Sequence, residues 1–153
     1  MNLVHLRGRG VRILTGPAPV GNYLQLWGFT GLGDLNGDGR ADFAIASETW
    51  PASSGGDFLQ GTVSVIYGAT FTSPLSLPDL GSVGYQLTEP LPSANPSISP
   101  LGNQLGFGVA PLSGFADDGR PLFAIGAPGL GLPATQPGAP PFGEVLLETP
   151  LSV

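Results

Sequence analysis

The densest chemistry in the sequence is the run GDLNGDGRAD, residues 33–42, where oxygen-bearing side chains stand at Asp34, Asn36, Asp38 and Asp42. The first three alternate, so a loop wound around a hard cation can aim each of them inward. Ca²⁺ takes about 6 to 8 oxygens at about 2.3 to 2.6 Å. Asp34, Asn36 and Asp38 would supply three, the backbone carbonyl of Arg40 a fourth, and Asp42 one or two more. Gly37 and Gly39 suit such a curl, because a tightly bent chain visits positive φ, which costs little only for glycine. Carboxylates this close repel one another without a cation. Oxygen-only ligands favour Ca²⁺ over Zn²⁺, and Mg²⁺ demands stricter octahedral geometry. An EF-hand would need Glu at the twelfth loop position; counting from Asp34, that position is Ile45, and the flanks are strand-like. The alternative reading of the run is an Asx-rich turn whose side chains accept backbone N–H groups.

Other reactive chemistry is sparse. The single His is His5, near the N-terminus, and there is no Cys and no Lys, so nucleophile and base options shrink to Ser, Thr, Tyr and carboxylates. Glu144 and Glu148, four apart on an expected strand, share a face and read as a solvated edge. The chain is therefore expected not to be an enzyme. All five cations are Arg and the net charge is −6, which argues against a nucleic-acid partner and for a bound cation. No stretch approaches the roughly 18 apolar residues of a membrane helix. The opening residues carry Arg7 and Arg9 but no following apolar core of a secretory signal, so an exported protein would need its signal outside this chain.

The elements that must position the loop are short strands. Glycine and proline, 25 and 17 of 153 residues, fill more than a quarter of the chain and exclude a helical bundle. Leu, Ile, Val and Phe still exceed the roughly 20 % below which a chain struggles to fold, so the expectation is an all-β protein with many turns. An internal repeat organises it. WGFTGLGDLNGDGRADFAIA, residues 27–46, aligns without a gap on FGVAPLSGFADDGRPLFAIG, residues 107–126, at an offset of 80. GTVSVI, residues 61–66, matches GEVLLE, residues 143–148, at an offset of 82. The first copy predicts strands near 26–32, 42–47, 62–67 and 85–88; the second predicts 107–112, 122–127 and 144–148 and lacks a fourth. Segments 51–56, 73–83, 90–102 and 128–142, rich in Pro, Ser and Gly, are expected to be surface loops. At the ligand positions the second copy has Gly114, Ala116, Asp118 and Leu122, with Asp117 out of register, so a turn without an ion is expected there.

These residues resemble FG-GAP repeats, the blades of the β-propeller of integrin α-subunits and many bacterial surface and secreted proteins. Phe107-Gly108 and Gly126-Ala127-Pro128 reproduce both halves of the family name. The first copy departs there, with Trp27-Gly28 and Ala46-Ser47-Glu48, yet it carries the D-x-N-x-D-G-x-x-D calcium loop from Asp34 to Asp42. The resemblance implies four antiparallel strands per blade, the cation loop joining the first two, and Asp34, Asn36, Asp38, the Arg40 carbonyl and Asp42 as ligands. Residues 1–25 would then be a leader and an outer strand, with 26–89 a blade with the calcium loop and 90–153 a blade with a degenerate one. Integrin-like propellers have seven blades, so a chain holding about two is expected to be a fragment of a larger propeller, with residues 11–14 able to supply the second copy's fourth strand. Two isolated blades would expose apolar faces and invite self-association.

The function expected from the loop and the repeat together is a secreted or cell-surface interaction or adhesion module, with structural Ca²⁺ and a protein or glycan ligand. The alternatives are the non-catalytic propeller portion of a larger secreted enzyme, or a carbohydrate-binding propeller. In the last, Trp27, Trp50, Tyr67 or Tyr85 would stack on sugar rings; Trp27, at the family's Phe position, is expected in the core and Trp50 in an exposed loop.

Overall fold

Alternating apolar residues in runs broken by Gly and Pro fold into three small sheets in a computed structural model of the chain. The structure describes residues 12–14, 22–51, 60–69, 71, 74–88, 104–112, 121–128 and 144–148. Its strands are β1 (Ile13–Leu14), β2 (Asn22–Gly33), β3 (Asp42–Pro51), β4 (Gln60–Ile66), β5 (Leu75–Ser76), β6 (Gly84–Thr88), β7 (Gly108–Leu112), β8 (Leu122–Ala127) and β9 (Glu144–Glu148). The described residues contain no α-helix, and no helix is long and apolar enough to cross a membrane. The all-β expectation therefore holds, but the described strands form no propeller. They form an antiparallel four-stranded sheet β2-β3-β4-β6, an antiparallel three-stranded sheet β7-β8-β9, and a parallel pair β1-β5.

The repeat is visible in the register. Gly28 pairs with Ala46 and Gly108 with Gly126; Phe29 pairs with Ile45 and Val109 with Ile125. Ala44 pairs with Val65, as Ala124 pairs with Leu147. The offsets of 80 and 82 thus carry β2-β3-β4 onto β7-β8-β9 pair for pair. Among the described residues of the 11–14 segment, none extends the second copy: Ile13 and Leu14 pair in parallel with Leu75 and Ser76, inside a segment whose composition predicts only loop. Amides of Leu75 and Leu77 donate to the carbonyls of Arg12 and Leu14, and both leucines are buried. Two buried apolar side chains offset the entropy of ordering so short a pair.

Two cores follow from the period of two along each strand. One face of the four-stranded sheet, with Ala44, Val63 and Val65, packs on Phe123, Ile125 and Ala127 of β8, joined by Leu32, Leu35 and Leu105. The Thr30 hydroxyl donates to the Val109 carbonyl across this interface at 3.2 Å. The opposite face, with Ile45 and Ile66, is covered by Leu75, Leu77 and Leu80, with Ile13 and Phe43 at its margin. Trp27 lies in neither core. It sits at a bulge between Leu26 and Gly28, half-buried, with its ring 4.8 Å from that of Phe107, its own counterpart in the repeat. The bulge turns the strand there, so the side chain leaves the alternation that would have carried it inward.

Candidate functional site

The 34–41 loop joins β2 to β3 across a register shift between Gly31 and Gly33. Gly37 and Gly39 adopt φ of 79° and 84°, in the left-handed region where only glycine is unstrained, and they close the curl. Inside it the carboxylate of Asp34 acts as the hub. Its Oδ1 accepts from the amides of Gly37 at 2.7 Å and Asp38 at 3.0 Å, and its Oδ2 accepts from Gly39 at 2.8 Å. Asn36 Oδ1 accepts from the Asp38 amide at 3.1 Å, while its Nδ2 donates to Asp38 Oδ2 at 3.3 Å. Asp38 Oδ1 accepts from the Arg40 amide at 2.8 Å. Asp34, Asn36 and Asp38 are therefore brought together by short bonds, with Asn36 and Asp38 open to solvent.

Asp42 stands apart from this exposed curl. It is 1 % exposed, and its two oxygens hold separate segments: Oδ2 accepts from the Leu35 amide at 2.7 Å, and Oδ1 from the Gly68 amide at 2.6 Å. Leu35 is itself buried in the core between the sheets. The base of the loop is thus fastened by an apolar peg and a buried carboxylate strut. Tyr67, next to Gly68 and buried, has its phenol pKa raised above the usual value, first by desolvation and then by the negative charge of Asp42.

The donor set fits a hard divalent cation in kind, since every side-chain ligand candidate offers oxygen. A carboxylate has about four lone-pair sites; Asp34 uses three on backbone amides and Asp42 two. In this arrangement no group of three or more His, Cys, Asp or Glu side chains among the described residues is placed to hold a metal ion. The bonds seen are also those of an Asx-rich turn, the alternative reading of the same residues.

Several expectations lie outside the described residues: His5, the second-copy positions Gly114, Ala116, Asp117 and Asp118, and most of loops 51–56, 90–102 and 128–142. For Trp50, Glu144 and Glu148 the backbone alone is described: Trp50 lies in β3 opposite Tyr23 and not in the expected loop, because the β2-β3 pairing runs on to Pro51, while Glu144 and Glu148 bound the expected strand β9. The parts of the site that spacing did not reveal are Leu35, Tyr67 and Gly68. Leu35 had a signal, as the one large apolar residue inside an otherwise polar run. Gly68 had none, because its contact with Asp42 spans 26 residues. A Cβ at Gly68 would overlap the Ala41 carbonyl oxygen and stand 3.0 Å from the Arg40 Cβ. Gly68→Ala is therefore expected to cost about 1–3 kcal/mol in urea unfolding, as overpacking against backbone does. A neutral result would show that the strut tolerates displacement.

No family model, curated protein or solved structure matches this chain.

Proposed function

We propose that this chain is a calcium-binding, non-catalytic interaction module built from two FG-GAP-type propeller blades, exported to the cell surface or beyond, with Ca²⁺ structural in loop 34–42. The observation that carries the reading is the loop itself, which brings Asp34, Asn36 and Asp38 into one glycine-shaped curl between two strands. The shared register of β2-β3-β4 and β7-β8-β9 supports the two-blade description. Asp34, Asn36, Asp38, the Arg40 carbonyl and Asp42 are the ligands in this reading. The ion supplies positive charge where Asp34 and Asp38 would otherwise repel, and so orders the loop that joins β2 to β3. An ordered loop can present a fixed surface to a protein or glycan ligand.

Thermal unfolding with Ca²⁺, with Mg²⁺ and with EDTA tests this directly. A ligand that binds only the folded state stabilises it by RT ln(1 + [L]/Kd), about 2.7 kcal/mol at a hundredfold excess. At about 2–4 °C per kcal/mol for a domain of this size, Tm should rise by roughly 5–10 °C with Ca²⁺ and by much less with Mg²⁺. Asp38→Ala should remove the response. An unchanged Tm in a cooperatively folding chain would reduce the loop to an Asx turn.

A further inference from the structure

Loop 34–42 holds the parts of an acyl-transfer site whose substrate is its own peptide. Asn36 is exposed, and of the five asparagines it alone precedes a glycine; the others precede Leu3, Tyr23, Pro96 and Gln104. A glycine amide, with no Cβ beside it, is the least hindered nitrogen that can attack the side-chain carbonyl of the residue before it. A Cβ at Gly37 would meet nothing within 4 Å, so the space around that nitrogen is open. The polar groups about the reacting atoms are in place. Asp34 Oδ1 accepts from the Gly37 amide at 2.7 Å, inside the reach of about 2.6–3.2 Å that a general base needs. The Asp38 amide, which also donates to Asp34 Oδ1 at 3.0 Å, donates to Asn36 Oδ1 at 3.1 Å, the oxygen on which charge develops when Cγ is attacked. Asn36 Nδ2, the nitrogen that would leave, donates to Asp38 Oδ2 at 3.3 Å.

We propose that Asn36-Gly37 is a self-modification site, where Asn36 is deamidated through a succinimide with Asp34 as the general base. The Gly37 nitrogen bonds to Asn36 Cγ while its proton passes to Asp34 Oδ1, and the Asp38 amide holds the oxyanion that forms on Asn36 Oδ1. The Cγ–Nδ2 bond then breaks, and Nδ2 takes up that proton and leaves as ammonia. Water opens the ring at either carbonyl. Opening at Cγ gives an aspartyl residue, and opening at the backbone carbonyl gives an isoaspartyl residue whose main chain runs through Cγ and is one carbon longer. One water is consumed, one ammonia is released, and nothing is oxidised or reduced. Both products add a negative charge beside Asp34 and Asp38, and the isoaspartyl link breaks the alternation of oxygen-bearing side chains at 34, 36 and 38. A weaker hold on a cation in the modified loop follows only from the calcium reading; the modification itself does not rest on it.

Timed incubation of the full chain in EDTA at neutral pH, followed by peptide mass spectrometry and isoaspartyl methyltransferase labelling, tests the proposal. The expected result is conversion of amide to acid at Asn36, with aspartyl and isoaspartyl products both present, while Asn22 and Asn103 stay intact. The folded chain should convert at least about tenfold faster than the same chain unfolded in guanidinium chloride, at the low end of what a placed general base supplies. Asp34→Asn should slow the folded chain by a similar factor. If that variant does not fold, the comparison of folded with unfolded wild-type chain still decides. Asn36 left intact would overturn the proposal. So would equal or faster conversion in guanidinium chloride, or acceleration in a folded Asp34→Asn chain, because the bonds to Gly37 and Asn36 would then restrain the loop rather than promote attack. All arms are run in EDTA, so a chain whose Tm ignores Ca²⁺ would sink the calcium reading and leave these rates unaffected.

Discussion

Asp42→Ala is expected to destabilise the chain by about 2–4 kcal/mol even in EDTA, because it strands the buried Leu35 amide at about 1–3 kcal/mol and the part-buried Gly68 amide at about 1 kcal/mol. Those amides lie 2.7 and 2.6 Å from the carboxylate. Against a total stability of about 5–15 kcal/mol, such a loss threatens folding itself. Asp42→Asn should cost nearly as much, since its amide nitrogen would face one of the two N–H donors. The contrast is with Asp38→Ala. Asp38 is exposed, and among the described residues its carboxylate bonds the Arg40 amide and the Asn36 side chain, so its loss in EDTA should cost no more than about 1 kcal/mol. Urea unfolding of both variants, with and without Ca²⁺, separates a strut from a ligand. Equal costs in EDTA would show that Asp42 has no structural task of its own.

Phe123→Ala should cost about 3–5 kcal/mol, the usual range for removing a buried phenylalanine. Phe123 is 0 % exposed and lies between the two sheets, among Val65, Ile125 and Leu105 in one cluster. Its repeat counterpart Phe43 is half-buried at the margin of the second core, stacked 5.0 Å from the exposed ring of Phe29. Phe43→Ala should therefore cost about 1–2 kcal/mol, since less area is returned to water and little cavity is left behind. Denaturant midpoints at constant slope would measure the difference. If the two substitutions cost the same, the sheet-on-sheet interface is not where the stability of the chain resides.

Strand positions and register were legible because they are local. Residues 122–127 and 144–148 alternate or run apolar between turn residues, and β8 and β9 occupy those spans. The offset between copies carried the register from one sheet to the next because backbone pairing repeats wherever the pattern does. The loop was legible for the same reason, since Gly37, Gly39 and alternate oxygens bend a chain within nine residues. β5 was not, because Leu75 and Ser76 alone are too short to show a period and their strand partners lie some sixty positions earlier. Trp27 was misplaced because a bulge breaks the alternation on which its burial depended.

By itself the sequence determined an all-β chain, seven of its strands, their repeat and one acidic, glycine-shaped loop. Tertiary structure alone decided which copy of the pattern is buried, that Asp42 is held under the loop by amides from two segments, and that β1 and β5 close one side of the first sheet. The physical reason is that a period of two assigns residues to faces but does not say what lies against each face. Val65 and Leu147 read alike along the chain, and only the neighbour across the sheet makes one of them core and leaves the other at the surface.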